Sequence, residues 1–174
     1  MAGIAEQRFK EAVEAGAPTL PSRAPPLAFR PELFFYGRTE GGGVVRDPFG
    51  RIVRRCAIAT EGALNADGSA IRFDEVFTYD DGEVDTWRWV MQPGRDGRYV
   101  AAEAKAGAGI SGEQRNGEYV ISFRRPVGRA AGPLSPRFRS RFTLLTADCA
   151  MKRAEVSLFG APLGALWAIH RRIG

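Results

Sequence analysis

Glu75 stands in the run FDEVFTYDDGE, with Phe73 two residues before it and Phe77 two after. Residues two apart share a face of an extended strand, so this spacing puts a carboxylate on an otherwise apolar surface. A charge there needs a partner, and the hairpin at Asp80-Asp81-Gly82 offers two registers. A four-residue loop over 80–83 sets Glu75 opposite Arg88, giving a guanidinium–carboxylate pair able to orient the polar head of a ligand. A three-residue loop over 80–82, with Gly82 left-handed, sets Glu75 opposite Trp87 and leaves the Trp87 N–H or Arg54 as donor. In either register the bland alternative is an ion pair that only fixes the strands, or a carboxylate that reaches water.

Other residue types with chemical capacity are sparse. His170 is the only histidine, and no nucleophile elbow surrounds it, so a core or surface role is expected ahead of haem ligation. Cys56 and Cys149 lack metal-ligand spacing and read as two buried free thiols. The glycine runs at 41–43 and 107–109 lack the strand–turn–helix setting of a phosphate loop. No metal and no cofactor is therefore expected. The aromatic residues Trp87, Trp89, Trp167, Phe34, Phe35, Tyr36, Phe73, Phe77, Phe123 and Phe142 supply an interior, either packed core or the wall of an apolar pocket.

The elements that must position these residues are strands. Ile4, Ala5, Phe9, Ala12 and Val13 mark one short helix over residues 4–15, and five prolines between 18 and 31 make an extended connector. From residue 33 the hydrophobic period is two, and turn signals such as DPFG, NADG, DDG and GEQRNG recur at short intervals. Strands are expected over 33–39, 51–61, 70–79, 83–91, 98–105, 108–111, 118–125, 137–146, 150–158 and 164–172. Short connections without crossover helices imply antiparallel pairing. About ten such strands curl, and an all-β, up-and-down β-barrel removes their edges, with a sandwich as competitor. The expected division is a helix and Pro-rich arm over 1–32 and the barrel over 33–174.

Strand 137–146 states the two faces plainly. Phe138, Ser140, Phe142 and Leu144 belong inside, with Arg137, Arg139 and Arg141 as an outer ladder. In 98–105 the small residues Val100, Ala102 and Ala104 are read as inward, continued by Ala106 and Ala108, leaving either a cavity or a tight bend.

The chain has 174 residues, 44% of them hydrophobic and 26% charged, the size and composition of one ordinary globular domain. The N-terminal residues carry neither signal-peptide pattern nor lipid-acceptor cysteine, and no apolar run reaches membrane-spanning length, so the cytoplasm is the expected location. The net charge of +5 is uneven: residues 104–174 hold 12 basic and four acidic side chains. That asymmetry favours anionic ligands or surfaces.

The stretches FFYGRTEGGGVVRDPFGRIVRR, FDEVFTYDDGE, WRW, GRYVAAEAKAGAGISGEQRNG and FGAPLGALWAIHRR resemble a bacterial family known as domain of unknown function 3833. The resemblance covers roughly residues 33–172 and implies a lipocalin-like, calycin-type barrel. Its members are mostly small predicted lipoproteins. This chain departs from them in having no lipidated cysteine, in reading EAKAG where an aspartate is usual, and in replacing late acidic residues around SRFTLL.

The expected function is binding of a small apolar or amphiphilic, even anionic, ligand inside the barrel, without enzymatic activity. Glu75 and Arg88 would be the polar anchors, with Trp87, Trp89, Phe73, Phe77 and Tyr36 around the ligand. The alternative is a filled barrel that acts as an interaction protein through its basic face or N-terminal arm; proton transfer with Glu75 as base is a third, weaker reading. Nucleic acid is disfavoured, because the aromatics alternate away from the arginines. Peripheral contact with anionic surfaces through Arg137, Arg139 and Arg141, and a homodimer, are the remaining partner expectations.

Overall fold

The computed structural model describes residues 27–127 and 134–173. The helix expected over 4–15, most of the Pro-rich arm and the middle of the 126–136 loop lie outside the described residues. Ten antiparallel strands form one closed barrel: β1 (Gly37–Arg46), β2 (Ile52–Leu64), β3 (Ile71–Tyr79), β4 (Val84–Pro93), β5 (Arg98–Glu103), β6 (Ser111–Arg115), β7 (Glu118–Arg124), β8 (Arg137–Leu144), β9 (Cys149–Leu158) and β10 (Ala161–Ile173). Each strand pairs with its sequence neighbours, and β1 closes on β10. The expected up-and-down barrel is the observed fold.

Most strand ends differ from expectation by three residues or fewer, and two strands, β1 and β6, depart further, each for a local reason. β1 lies over Gly37–Arg46 rather than 33–39 and runs straight through the glycine triplet. There the neighbouring backbones come so close that a Cβ on Gly41 would strike the Ile169 carbonyl, and one on Gly43 would lie 2.7 Å from the Trp167 carbonyl oxygen. Close approach, not strand propensity, selects glycine. β6 lies over Ser111–Arg115 because the turn is the dipeptide Asn116-Gly117, both at positive φ (52° and 81°). That Asn-Gly pair is a strong hairpin signal, and reading all of GEQRNG as loop overlooked it.

Residues 31–36 are not strand. Pro31–Phe34 form a one-turn helix, α1, which with Phe29 and Phe35 plugs one end of the barrel. Phe35 stacks on Phe73 at 4.4 Å and Phe29 on Phe142 at 5.1 Å. The Phe29 N–H donates to the Gly117 carbonyl at 2.9 Å, and Gln114 Nε2 donates to the Phe29 carbonyl at 2.9 Å. Glu32 accepts from the Tyr99 hydroxyl at 2.9 Å. The division expected at residue 32 thus falls inside a packed plug. Tyr36 is displaced outward by this geometry and is exposed.

The core continues down the barrel as one aromatic column through Phe73, Trp89, Trp87, Phe123 and Phe138, with neighbouring ring centroids 5.0–6.4 Å apart. β8 presents Phe138, Ser140 and Phe142 inward and its three arginines outward, as its alternation implies. β5 does the reverse of what was expected. Tyr99, Ala101 and Glu103 face in, and Val100 and Ala102 face out. Of the small residues expected inward, Val100, Ala102, Ala104 and Ala108 are exposed and only Ala106 packs against the core; Tyr99, whose ring contacts Tyr119 at 4.9 Å, won the interior by size. Trp167 likewise turns outward, beneath the Arg153 guanidinium at 5.1 Å.

Candidate functional site

The hairpin after β3 closes with the three-residue loop. Gly82 takes φ +83°, the Tyr79 N–H donates to the Glu83 carbonyl at 2.9 Å, and Glu75 pairs across the ladder with Trp87. This places Glu75 at the barrel's centre, 1% exposed. Its partner is neither Arg88 nor the donors weighed for this register. Lys152, from the opposite wall on β9, reaches across the interior and donates to both carboxylate oxygens, at 2.7 and 2.9 Å. The ammonium sits among the faces of Phe77, Trp87 and Phe142, 5.0–5.5 Å from each ring centroid, where cation–π attraction offsets part of its desolvation.

A polar belt surrounds that pair. Thr39 on β1 is opposite Thr60 on β2, and Thr60 is opposite Glu75 on β3, so three buried polar side chains lie in one row. His170 on β10 brings Nε2 to 3.7 Å from Glu75 Oε1. Burial drives its pKa down to about 4, with Glu75 opposing and Lys152 adding to the shift, so the imidazole is neutral at pH 7. The hydroxyls of Thr39 and Thr60 and both His170 ring nitrogens are buried without a hydrogen-bonding partner. Such groups are rare in folded interiors, and four around one ion pair mark unused hydrogen-bonding capacity.

The other expected site residues divide between inside and outside. Trp87, Trp89, Phe73 and Phe77 all face the interior, at 6% exposure or less. Arg88 does not. It lies on the outer wall, 69% exposed, with Nε 3.6 Å from Asp74, because the register that would have turned it inward is not the one adopted. Tyr36 lies outside the barrel as well. Lys152 was overlooked although it is one of only three lysines; AMKRAE alternates small residues with it, and a lysine on a small-residue face is the available signal.

A second charged cluster, also missed, lies toward the end of the barrel away from the plug. Arg125, with no exposed surface, donates to Asp85 at 2.7 and 2.9 Å, to Glu103 at 3.2 Å and to the Thr86 carbonyl at 3.1 Å. Its guanidinium stacks 4.3 Å from the Trp87 ring, whose Nε1–H donates to Asp85 at 2.8 Å. Lys105 adds a contact to Asp85 at 3.2 Å. Burial alone would raise the Asp85 pKa, but hydrogen bonds and charge from Arg125 hold it below the usual carboxylate range. Cys56 and Cys149 are free and buried, 7% exposed each. Among the described residues no group of acidic, histidine and cysteine side chains could hold a metal ion, and no helix is long and apolar enough to cross a membrane.

A closed, up-and-down, ten-stranded barrel with a plugged end and an inward charge pair is a calycin-type architecture. The chain belongs to the DUF3833 family of proteins of unknown function, whose model matches residues 21–172. Among solved structures it is similar to the S-type phycobiliprotein lyase CPES from Guillardia theta, with TM-score 0.60 and 15% identity over 84% of this chain and 94% of that one. It is also similar to a protein of unknown function from the DUF3598 family of Nostoc punctiforme, with TM-score 0.56 and 12% identity. That match covers 86% of this chain and 51% of the other, so this chain spans about half its length. At such identities the likeness concerns the fold alone. No curated protein matches the chain.

Proposed function

We propose that the barrel binds a small amphiphile whose apolar body lies along the aromatic column and whose polar end meets the belt at Glu75, Lys152, His170, Thr39 and Thr60. The observation that carries this reading is the set of four orphaned polar atoms around the ion pair. A ligand hydroxyl, carbonyl or amide would satisfy them, and each such bond contributes about 1 kcal/mol net. The belt is electrically balanced, because Glu75 cancels Lys152 and His170 is neutral. A neutral hydrogen-bonding end therefore suits it better than the carboxylate that an inward Arg88 would have favoured. Trp87, Trp89, Phe73 and Phe77 form the wall. Proton transfer by Glu75 is the poorer reading, since both its oxygens already accept from one ammonium.

The test is native mass spectrometry of freshly purified protein, followed by titration with long-chain alcohols, amides and fatty acids while tryptophan emission is recorded. Neutral-headed ligands should bind more tightly than acids of equal length, and Thr39→Val with Thr60→Val should weaken them by about tenfold. Ala154→Phe, which adds a ring beside Lys152 on the inner face of β9, should block binding.

A second reading is favoured by one observation: the rings are contiguous, and the clefts lined wholly by described residues open on the outer wall. Under it the barrel is a filled scaffold for a partner. Then no titrant moves the tryptophan signal, and Ala154→Phe destabilises by about 1–3 kcal/mol through overpacking.

A further inference from the structure

Two phenylalanines stand out at the end of the barrel opposite the plug. Phe49, at the tip of the β1–β2 loop, is 84% exposed, and Phe159, at the tip of the β9–β10 hairpin, is 85% exposed. Neither is a loose residue on a loose loop. Asp47 fastens the first tip by accepting from the Phe49 and Arg51 N–H groups at 3.0 and 2.9 Å and from Arg51 Nε at 2.7 Å. In the second, Leu158 pairs with Ala161 around a two-residue turn whose members Phe159 and Gly160 have φ +50° and +84°. Both central residues at positive φ is the pattern of a turn that wants Asn-Gly, not Phe-Gly. An aromatic held in the left-handed region with its ring in water breaks two local preferences at once, which is expected where function overrides stability.

Between the two tips lies a cleft of about 580 Å³ whose walls include Pro48 and Gly50, on either side of Phe49, and Gly160 and Pro162, just after Phe159. Its charged lining is Arg46, Arg137, Arg139 and Arg153 against Asp47 and Glu155. The Asp47 carboxylate is already taken by Arg51 at 2.7 Å, and Glu155 pairs with Arg153 at 3.0 Å. No carboxylate lies within salt-bridge reach of Arg137 or Arg139 among the described residues. Leu163, 46% exposed, extends the apolar rim.

We propose that this rim docks the protein on a lipid surface carrying anionic headgroups, with Phe49 and Phe159 entering the headgroup–acyl boundary and headgroup phosphates seated among Arg137, Arg139 and Arg46. Arg46 donates to the Gly50 carbonyl at 2.7 Å, which keeps it beside the Phe49 tip with its charge unneutralised by any carboxylate among the described residues. Aromatic tips beside arginines without carboxylate partners are complementary to that interface, where apolar insertion and attraction to anionic lipid act together. A nucleic acid would use the arginines but gain little from two rings held on separate loop tips rather than interleaved with the arginines. The proposal is independent of what the interior holds.

The test is sedimentation of the full chain with phosphatidylcholine vesicles and with vesicles containing about 30% phosphatidylglycerol, enough to give the surface a strong negative potential. The expected result is retention by the anionic vesicles alone, weakening as salt rises. Arg137→Glu with Arg139→Glu should reduce it by about fivefold or more per arginine. Phe159→Asn is the sharper variant, since asparagine suits the turn: the melting temperature should hold or rise while vesicle binding falls by about tenfold. Equal retention by both vesicle types, or by neither, overturns the proposal. So does a Phe159→Asn variant that binds vesicles normally, tight binding of single-stranded RNA that ignores the same substitution, or self-association that the substitution abolishes.

Discussion

The barrel encloses two charged clusters, and they differ in how completely their members are satisfied. Around Arg125 every bond direction has a partner: two carboxylates, the carbonyl oxygens of Thr86 and Pro126 and the face of Trp87 receive the guanidinium, while Glu103 also accepts from the Lys105 N–H at 2.9 Å. Around Lys152 the ion pair is equally short, yet the hydroxyls and imidazole beside it are unmatched. A saturated network holds strands together and has nothing left to offer. An unsaturated one keeps hydrogen-bonding capacity in reserve, at a standing cost in stability. Burial and charge are common to both; unused valence is what separates architecture from a candidate site.

That contrast can be broken at several points. The largest effect is expected for Arg125→Met, which leaves Asp85 and Glu103 facing each other in the interior; denaturant unfolding should show a loss of about 4–5 kcal/mol. Lys152→Met strands one carboxylate rather than two and should cost about 3–4 kcal/mol, most of it recovered in Glu75→Leu with Lys152→Met. If the two single losses at Glu75 and Lys152 simply add, the pair is not coupled and the belt has another organisation.

The pH dependence tests the imidazole. Unfolded, His170 titrates near 6.5; in the barrel it titrates at about 4. Between those values the unfolded chain holds a proton that the folded one refuses, so stability falls as pH drops from 6.5 to 4 and the loss is complete below that. The difference between wild type and His170→Gln over this window should reach about 3 kcal/mol, and a parallel pair of curves would show that the ring is accessible to protons. Arg88→Ala gives the smallest effect. Its pair with Asp74 is exposed and 3.6 Å long, and the change in unfolding free energy should stay below about 0.5 kcal/mol.

The sequence carried the barrel more legibly than the site. Alternation such as RFRSRF over residues 137–142 records which face of a strand meets water, and it survives every detail of packing. Hairpin register is a finer matter, because one residue in the loop decides whether Arg88 or Trp87 stands opposite Glu75, and DDG permits both. β5 shows the same limit: RYVAAE alternates weakly, and only the tyrosine distinguishes its faces. Lys152 could not be joined to Glu75 from sequence at all, since the two meet across the barrel and not along any ladder. Only closure of the ring fixes the distance between opposite walls.

Closure has a consequence in time as well. Every ladder but one joins strands that follow each other along the chain, and the exception pairs Arg38 with Ile173. Loop-closure entropy therefore falls almost wholly on the β1–β10 seam, whose ladder has the longest sequence separation among the described residues. The glycines that let those backbones approach also supply little side-chain burial to reward early contact. The seam should form last, so substitutions at Thr39 and Ile169 should accelerate unfolding and leave the folding rate nearly unchanged. Until β10 has been synthesised, the nascent sheet must wait open, with two bare edges and the barrel's ion pair still in water.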